Sequence, residues 1–185
     1  MPTVATDSMP LGTVAPDFSL PDVASGEIVS LSNFAGSRAL LVIFLCAHCP
    51  YVVHVRDEVT RIANEYLPKG VAIVGISAND AVKYPEDGPE GLRRMVVENA
   101  IPFPLLYDES QEVARAYTAA CTPEFFLFDS NRRLTYHGRL DESTPGNGLP
   151  VTGADLRAAV EAVISDSPVP QPQQPSLGCS IKWKG

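Results

Sequence analysis

The sequence predicts one α/β domain in which a central mixed β-sheet is flanked by helices. Two runs, Ala39–Leu45 and Val71–Ile76, are apolar at every position, as strands covered on both faces of a parallel sheet are. Between them Val52, Val55, Val59, Ile62 and Tyr66 recur at spacings of three and four, a single helical stripe that Pro68 and Gly70 end. Strand, helix and strand make a right-handed βαβ unit, and a ββα pattern follows nearer the C-terminus.

Taken in order, residues 1–14 read as a loose leader, an N-terminal extension to a domain spanning 15–165. The segment 15–22 mixes apolar residues with Pro16 and Pro21, which suits a sheet edge. Ile28–Leu31 reads as a short strand closing a hairpin through Gly26, and 32–36 as one helical turn stopped by Gly36. The βαβ unit comes next. An insertion then separates it from the ββα half: a polar loop over 79–89, a helix capped by Asp87 that runs to about Asn99, and a connecting segment, Pro102–Leu106. A second inserted helix is capped by Asp108, with Gln111 three residues later. Phe125–Phe128 and Leu134–Tyr136 flank the turn-rich 129–132 as an antiparallel hairpin. The last helix starts at Thr152 with Asp155 three residues on, and its inward stripe is Leu156, Ala159, Val160, Val163 and Ile164. From 166 to 185 the chain becomes Pro- and Gln-rich, an extended spacer of polyproline type carrying Cys179 and the single tryptophan, Trp183. At about 3.1 Å per residue such a spacer reaches roughly 40 Å, enough to bring Cys179 to the active site of its own or a neighbouring chain.

Composition narrows the function classes. A hydrophobic content of 45% and a charged content of 19% are globular values. A net charge of −8 argues against nucleic acid or an anionic membrane as partner. Residues 1–11 hold no Lys or Arg and no long apolar stretch, so no secretory signal or membrane anchor is read there and a cytoplasmic location is expected. Persistent structural disulfides are uncommon in that compartment, so the four cysteines, at 46, 49, 121 and 179, are expected to be reactive, metal-binding or simply buried.

The chemistry concentrates in Cys46-Ala47-His48-Cys49-Pro50. Strand, paired cysteines and helix, in that order, describe a thioredoxin-like redox site. Two thiols at a helix start lie close enough to pair, and the free backbone N–H groups and the helix dipole there favour a thiolate. A thiol of pKa about 8.5 is only about 3% ionised at neutral pH, whereas one lowered to about 5.5 is almost wholly ionised. Cys46, at the strand–helix junction, is expected to be the exposed attacking thiol and Cys49 the buried resolving one. Ala47, His48 and Pro50 would tune the pair; a protonated His48 would favour the reduced form and make the pair more oxidising. Thr122-Pro123, directly before the strand Phe125–Phe128, is expected to be a cis peptide beside the cysteines that exposes backbone groups to an extended substrate. Cys121 and Cys179 are additional candidate thiols. Ala39–Leu45 holds no acid, so Glu124 is the candidate proton acceptor, and His54, Arg139 and the helix charges are read as solvated surface.

Four stretches together carry a resemblance: Cys46-Ala47-His48-Cys49-Pro50, Phe103-Pro104-Leu105-Leu106-Tyr107-Asp108-Glu109-Ser110-Gln111, Cys121-Thr122-Pro123-Glu124-Phe125-Phe126 and Gly138-Arg139-Leu140-Asp141. With Ala15-Pro16-Asp17-Phe18 and the C-terminal Gly178-Cys179-Ser180-Ile181-Lys182-Trp183-Lys184, the chain resembles the peroxiredoxin-like group of bacterial redoxins. These belong to the thioredoxin superfamily and are related to alkyl hydroperoxide reductase and thiol-specific antioxidant enzymes. The resemblance implies a thioredoxin-like fold and an antioxidant thiol redox role. Peroxiredoxins carry Pro-x-x-x-Thr/Ser-x-x-Cys around the peroxidatic cysteine; with Cys49 in that place, Cys46 stands at the threonine position and Val42 at the proline position. Both departures remove groups that orient peroxide, which makes peroxidase activity the second reading.

The expected function is thus a thiol–disulfide oxidoreductase using Cys46 and Cys49 on a disulfide-containing protein or a small thiol substrate. It would need no cofactor and no metal, and a cellular thiol reductant would regenerate it. A thiol peroxidase resolved by Cys121 or Cys179 is one rival; a zinc or copper carrier or sensor using Cys46, Cys49, His48 and another cysteine is the other.

Overall fold

The computed structural model describes residues 9–185 and the strand β1 (Thr3–Ala5). The remaining elements are β2 (Ser19–Pro21), β3 (Ile28–Ser30), β4 (Ala39–Phe44), α1 (Pro50–Tyr66), β5 (Val71–Ser77), α2 (Pro89–Glu98), β6 (Leu105–Tyr107), α3 (Glu112–Ala116), β7 (Cys121–Thr122), β8 (Glu124–Asp129), β9 (Leu134–Gly138), α4 (Ala154–Ile164) and β10 (Leu177–Ser180). The central sheet has the order β6-β5-β4-β8-β9: β4, β5 and β6 run parallel, and β8 and β9 join antiparallel. The predicted mixed sheet, βαβ unit, insertion and ββα half are all present.

The all-apolar run of β4 follows from its place at the centre of this sheet. Leu41 and Ile43 face a cluster closed by Val55, Val59 and Ile62 of α1 and by Leu156 and Val160 of α4. Leu40, Val42 and Phe44 face the opposite cluster, with Phe18, Tyr117, Phe126 and Ile181. Every β4 side chain is buried, and each large one contributes about 1.5–3 kcal/mol, so the strand that leads to Cys46 is firmly held.

Several local expectations are corrected. Pro102–Leu106 is not only a connection, because Leu105 and Leu106 begin β6, paired with Gly75 and Ile76. Gly88, not Asp87, is the N-cap of α2, and Asp87 is turned inward and fully buried. Gln111 caps α3 in a left-handed conformation, while Asp108 accepts the Ala114 N–H at 2.8 Å. At α4 the cap is Gly153, and Asp141 accepts the N–H groups of Thr152 and Gly153 at 2.7 Å each. Among the helix charges read as solvated, Glu58 is buried and paired with Arg157 of α4 at 2.7 Å.

The expected loose leader lies partly outside the described residues; in the part described, β1 pairs with β10 and Met9 is buried. The tail is also docked along its length. The Gln173 side chain accepts the His137 N–H, the Gln174 carbonyl accepts the Arg139 N–H, and Ser176 donates to the Gly138 carbonyl. Beyond β10, Ile181 enters the core, Asn79 accepts the Lys182 N–H, and Arg115 lies over the Trp183 ring at 4.5 Å. A spacer rich in proline has no backbone hydrogen bonds of its own, so glutamine and serine side chains and sheet edges supply them.

Candidate active site

β4 and the start of α1 position the cysteine pair. Cys46 follows the strand by two residues, and Cys49 is the N-cap of α1 with Pro50 at the first helical position, where its missing N–H costs nothing. Cys46 is 1% exposed and Cys49 0%, and both are free thiols. The expectation of an exposed Cys46 is therefore corrected: the thiol points inward, with its sulfur 3.2 Å from the Thr122 hydroxyl.

The surroundings separate the two thiols electrostatically. Asp87 accepts the backbone N–H groups of Ala47 and His48 at 2.7 and 3.2 Å and the Asn79 amide at 2.8 Å, and it pairs with His48 Nδ1. The two N–H groups that would have steadied a Cys46 thiolate are thus committed to a buried carboxylate, whose charge also opposes ionisation there. Cys46 is held well above the ordinary thiol range, chiefly by its hydrogen bond to Cys49, then by burial and by Asp87. Cys49 is lowered, first by that same Cys46 hydrogen bond and further by the Cys179 thiol and the N–H groups of Val52 and Cys179. The Thr122 carbonyl, 3.2 Å from the Cys49 sulfur, accepts from the thiol and would repel a thiolate. The helix start and the Cys46 S–H outweigh it, since several donors face a single acceptor.

His48 is not a free cation beside the pair. Its ring pairs with Asp87 and stacks on Tyr84 with centroids 5.0 Å apart. Asp87 is the site residue that sequence reasoning missed, having been read as a helix cap; its place after a long polar loop and just before Gly88 was the only signal.

On the far side of the sulfurs the Thr122–Pro123 peptide is cis, as expected. The backbone edge beside it is not open to substrate, because β10 pairs with β7, setting Cys179 opposite Thr122 and Ser180 opposite Cys121. Close approach requires Gly178, where a Cβ would lie 2.1 Å from the Thr122 carbonyl oxygen. Cys179 is brought to Cys49, and the Tyr51 N–H at the first turn of α1 faces its sulfur. Cys121 is placed differently: its thiol faces the Pro123 carbonyl at 3.8 Å and burial pushes its pKa up.

Glu124 is fully buried and both its oxygens are occupied, one by the N–H groups of Ala120 and Cys121 at 2.8 and 3.1 Å, the other by His137 Nε2 at 2.7 Å. It ties the β7 turn to β9 and touches neither Cys46 nor Cys49. Two residues read as surface, His54 and Arg139, line a partly open groove with Tyr51, Pro123, Ser143 and Leu177. Among the described residues, one set of potential metal ligands converges within 4.8 Å: Cys46, His48 and Asp87. The expected set of Cys46, Cys49, His48 and a further cysteine does not converge in this way, and an ion at Asp87 would have to displace the N–H donors already bound there.

The Redoxin family profile matches residues 10–156. Two Mycobacterium tuberculosis proteins described as "Putative peroxiredoxin" are 32% identical over 108 residues, 58% of this chain and 63% of theirs, so the match spans less than two thirds of those relatives. A crystal structure of an uncharacterized conserved protein from Geobacillus kaustophilus is 51% identical with a TM-score of 0.98, covering 100% of this chain and 97% of that one. A Chlorobium tepidum structure described as a "putative Thiol:disulfide interchange protein" is 21% identical with a TM-score of 0.67, covering 85% of this chain and 99% of that one, a likeness of fold.

Proposed function

The chain belongs to the Redoxin family, as a peroxiredoxin-like member of the thioredoxin superfamily, and from that premise we propose that it is a thiol–disulfide oxidoreductase working through Cys46 and Cys49. The observation that carries this reading is a pair of buried free cysteines, both with their sulfurs 3.2 Å from Thr122 and one of them at the start of a 17-residue helix. The Cys49 thiolate attacks one sulfur of a substrate disulfide; a Cys49–substrate disulfide forms and the other substrate sulfur leaves as a thiolate. Cys46, giving up its proton, then attacks Cys49, forming Cys46–Cys49 and releasing the second substrate thiol. This reverses the roles expected from sequence, because the Cys49 hydrogen bond, burial and Asp87 together hold Cys46 up while Cys49 is lowered. A cellular thiol reductant would complete the cycle.

The test is turnover of glutathione disulfide by the reduced protein, with disulfides mapped by mass spectrometry. Cys49→Ser should lose at least roughly a hundredfold in rate, and Cys46→Ser should arrest at a Cys49–glutathione adduct. Full turnover by Cys49→Ser sinks the proposal. A second reading, thiol peroxidase, is favoured by the Cys49 thiolate at the peroxidatic position and by the name of the mycobacterial relatives, and disfavoured by Cys46 and Val42 at the peroxide-orienting positions. Hydrogen peroxide consumption lost in Cys49→Ser would select it.

A further inference from the structure

We propose that Cys179 is a third redox thiol of this site, exchanging with the Cys46–Cys49 disulfide so that Cys49 alternates between two partners. This rests on the disulfide chemistry proposed above and adds a residue and a step to it. Three independent features place the thiol there. The strand register sets Cys179 opposite Thr122, whose hydroxyl contacts Cys46 and whose carbonyl contacts Cys49. Gly178 lets the strand approach closer than any side chain would allow, with a hypothetical Cβ 2.1 Å from Thr122 O and 3.2 Å from Pro123 N. The flanks are anchored on both sides of the thiol: Ser176 donates to the Gly138 carbonyl at 2.8 Å, and the Ile181 N–H donates to Ala120 O at 3.0 Å. A tail held this closely is built to deliver one side chain. The Cys179 side chain, 5% exposed, accordingly packs in the same buried cluster as Cys46 and Cys49.

The step is an exchange with no net oxidation. The Cys179 sulfur attacks Cys49 of the Cys46–Cys49 disulfide; the Cys49–Cys179 bond forms, the Cys46–Cys49 bond breaks, and Cys46 leaves as a thiolate that takes up the proton given by Cys179. Attack at Cys49 is the available direction, since Cys49 is the sulfur that Cys179 adjoins. The product keeps the oxidising equivalents on the chain while returning Cys46 as a free thiol.

The protein is equilibrated with glutathione redox buffers over a range of potentials, quenched in acid, denatured, alkylated and mapped by mass spectrometry. Wild type should yield both Cys46–Cys49 and Cys49–Cys179 peptides. Cys46→Ser should raise the Cys49–Cys179 peptide at least roughly tenfold, and Gly178→Val should lower it by a similar factor while Cys46–Cys49 persists. Full alkylation of Cys179 wherever Cys46–Cys49 has formed, and again in oxidised Cys46→Ser, would overturn the inference and leave the oxidoreductase reading standing. Absence of a Cys46–Cys49 disulfide at every potential would overturn that reading as well.

Discussion

At the scale of single residues, the site is decided by where two backbone N–H groups point. Those of Ala47 and His48 follow Cys46 directly and would ordinarily serve a thiolate on it, yet both donate to Asp87. Cys49, three residues on, meets the uncommitted end of α1 instead. The Cys46 thiol is thus held up by its hydrogen bond to Cys49, by burial and by Asp87, while Cys49 is lowered, and Asp87 adds to that asymmetry. The consequence appears in a pH titration of the reduced protein followed by thiolate ultraviolet absorbance. Cys49 should ionise below the ordinary thiol value of about 8.5 and Cys46 above it. In Asp87→Asn the upper step should move to lower pH, because a negative charge that opposed the Cys46 thiolate is gone. An upper step that stays put or moves upward would show that Asp87 does not act on Cys46.

At the scale of elements, the short turn from Ala120 to Glu124 carries three duties: it pairs with β10, presents Thr122 to both sulfurs and begins β8. Glu124 holds it by accepting two N–H groups and bonding His137, and Cys121, Glu124 and His137 are all buried. Removing the carboxylate strands two buried donors and a buried ring, so Glu124→Ala should cost about 3 kcal/mol in urea unfolding. Glu124→Gln, which keeps an acceptor for the turn, should retain the wild-type pH–rate profile; a lost basic limb would instead make Glu124 the proton acceptor that the sequence suggested. The strands and main helices were legible because burial on one or two faces leaves periodic apolar marks, as in β4 and α1. Likewise the cysteine pair and Thr122-Pro123 were legible as motifs. The caps and β6 were not, since Asp141, Gln111 and Asp87 act on residues distant in sequence or across a loop, and Leu105–Tyr107 is too short to show a period. The role of β10 was hidden for a similar reason: a strand whose partners lie more than fifty residues away, at β7, leaves no local mark.

At the scale of the whole molecule, the chain closes on itself through its last residues. β10 is the middle strand of the sheet β1-β10-β7, so both of its edges are paired, and the segment after it fills a gap between the β5 loop and α3. Buried side chains depend on it from outside: Asn79 and Gln111 each bond the backbone of Lys182, and Ile181 completes the cluster on one face of the central sheet. A chain ending at Asp166 would therefore lose more than a tethered thiol. It would expose the apolar surface of Ile181's cluster and the β7 edge and would take from the side-chain oxygens of Asn79 and Gln111 the N–H groups of Lys182 and Lys184. Two large apolar contacts at about 1.5–3 kcal/mol each make the loss at least about 3 kcal/mol, against a typical total of about 5–15. For a chain of this size 3 kcal/mol corresponds to a fall in Tm of roughly 6–12 °C, readable by calorimetry of the reduced protein, where no disulfide contributes. Cys179→Ser, which keeps the strand, should stay within about 3 °C of wild type and so separates the structural work of the tail from its redox work. A truncated protein that melts with the full chain would mean that the docked tail adds no stability, and that its strand is there for the thiol alone.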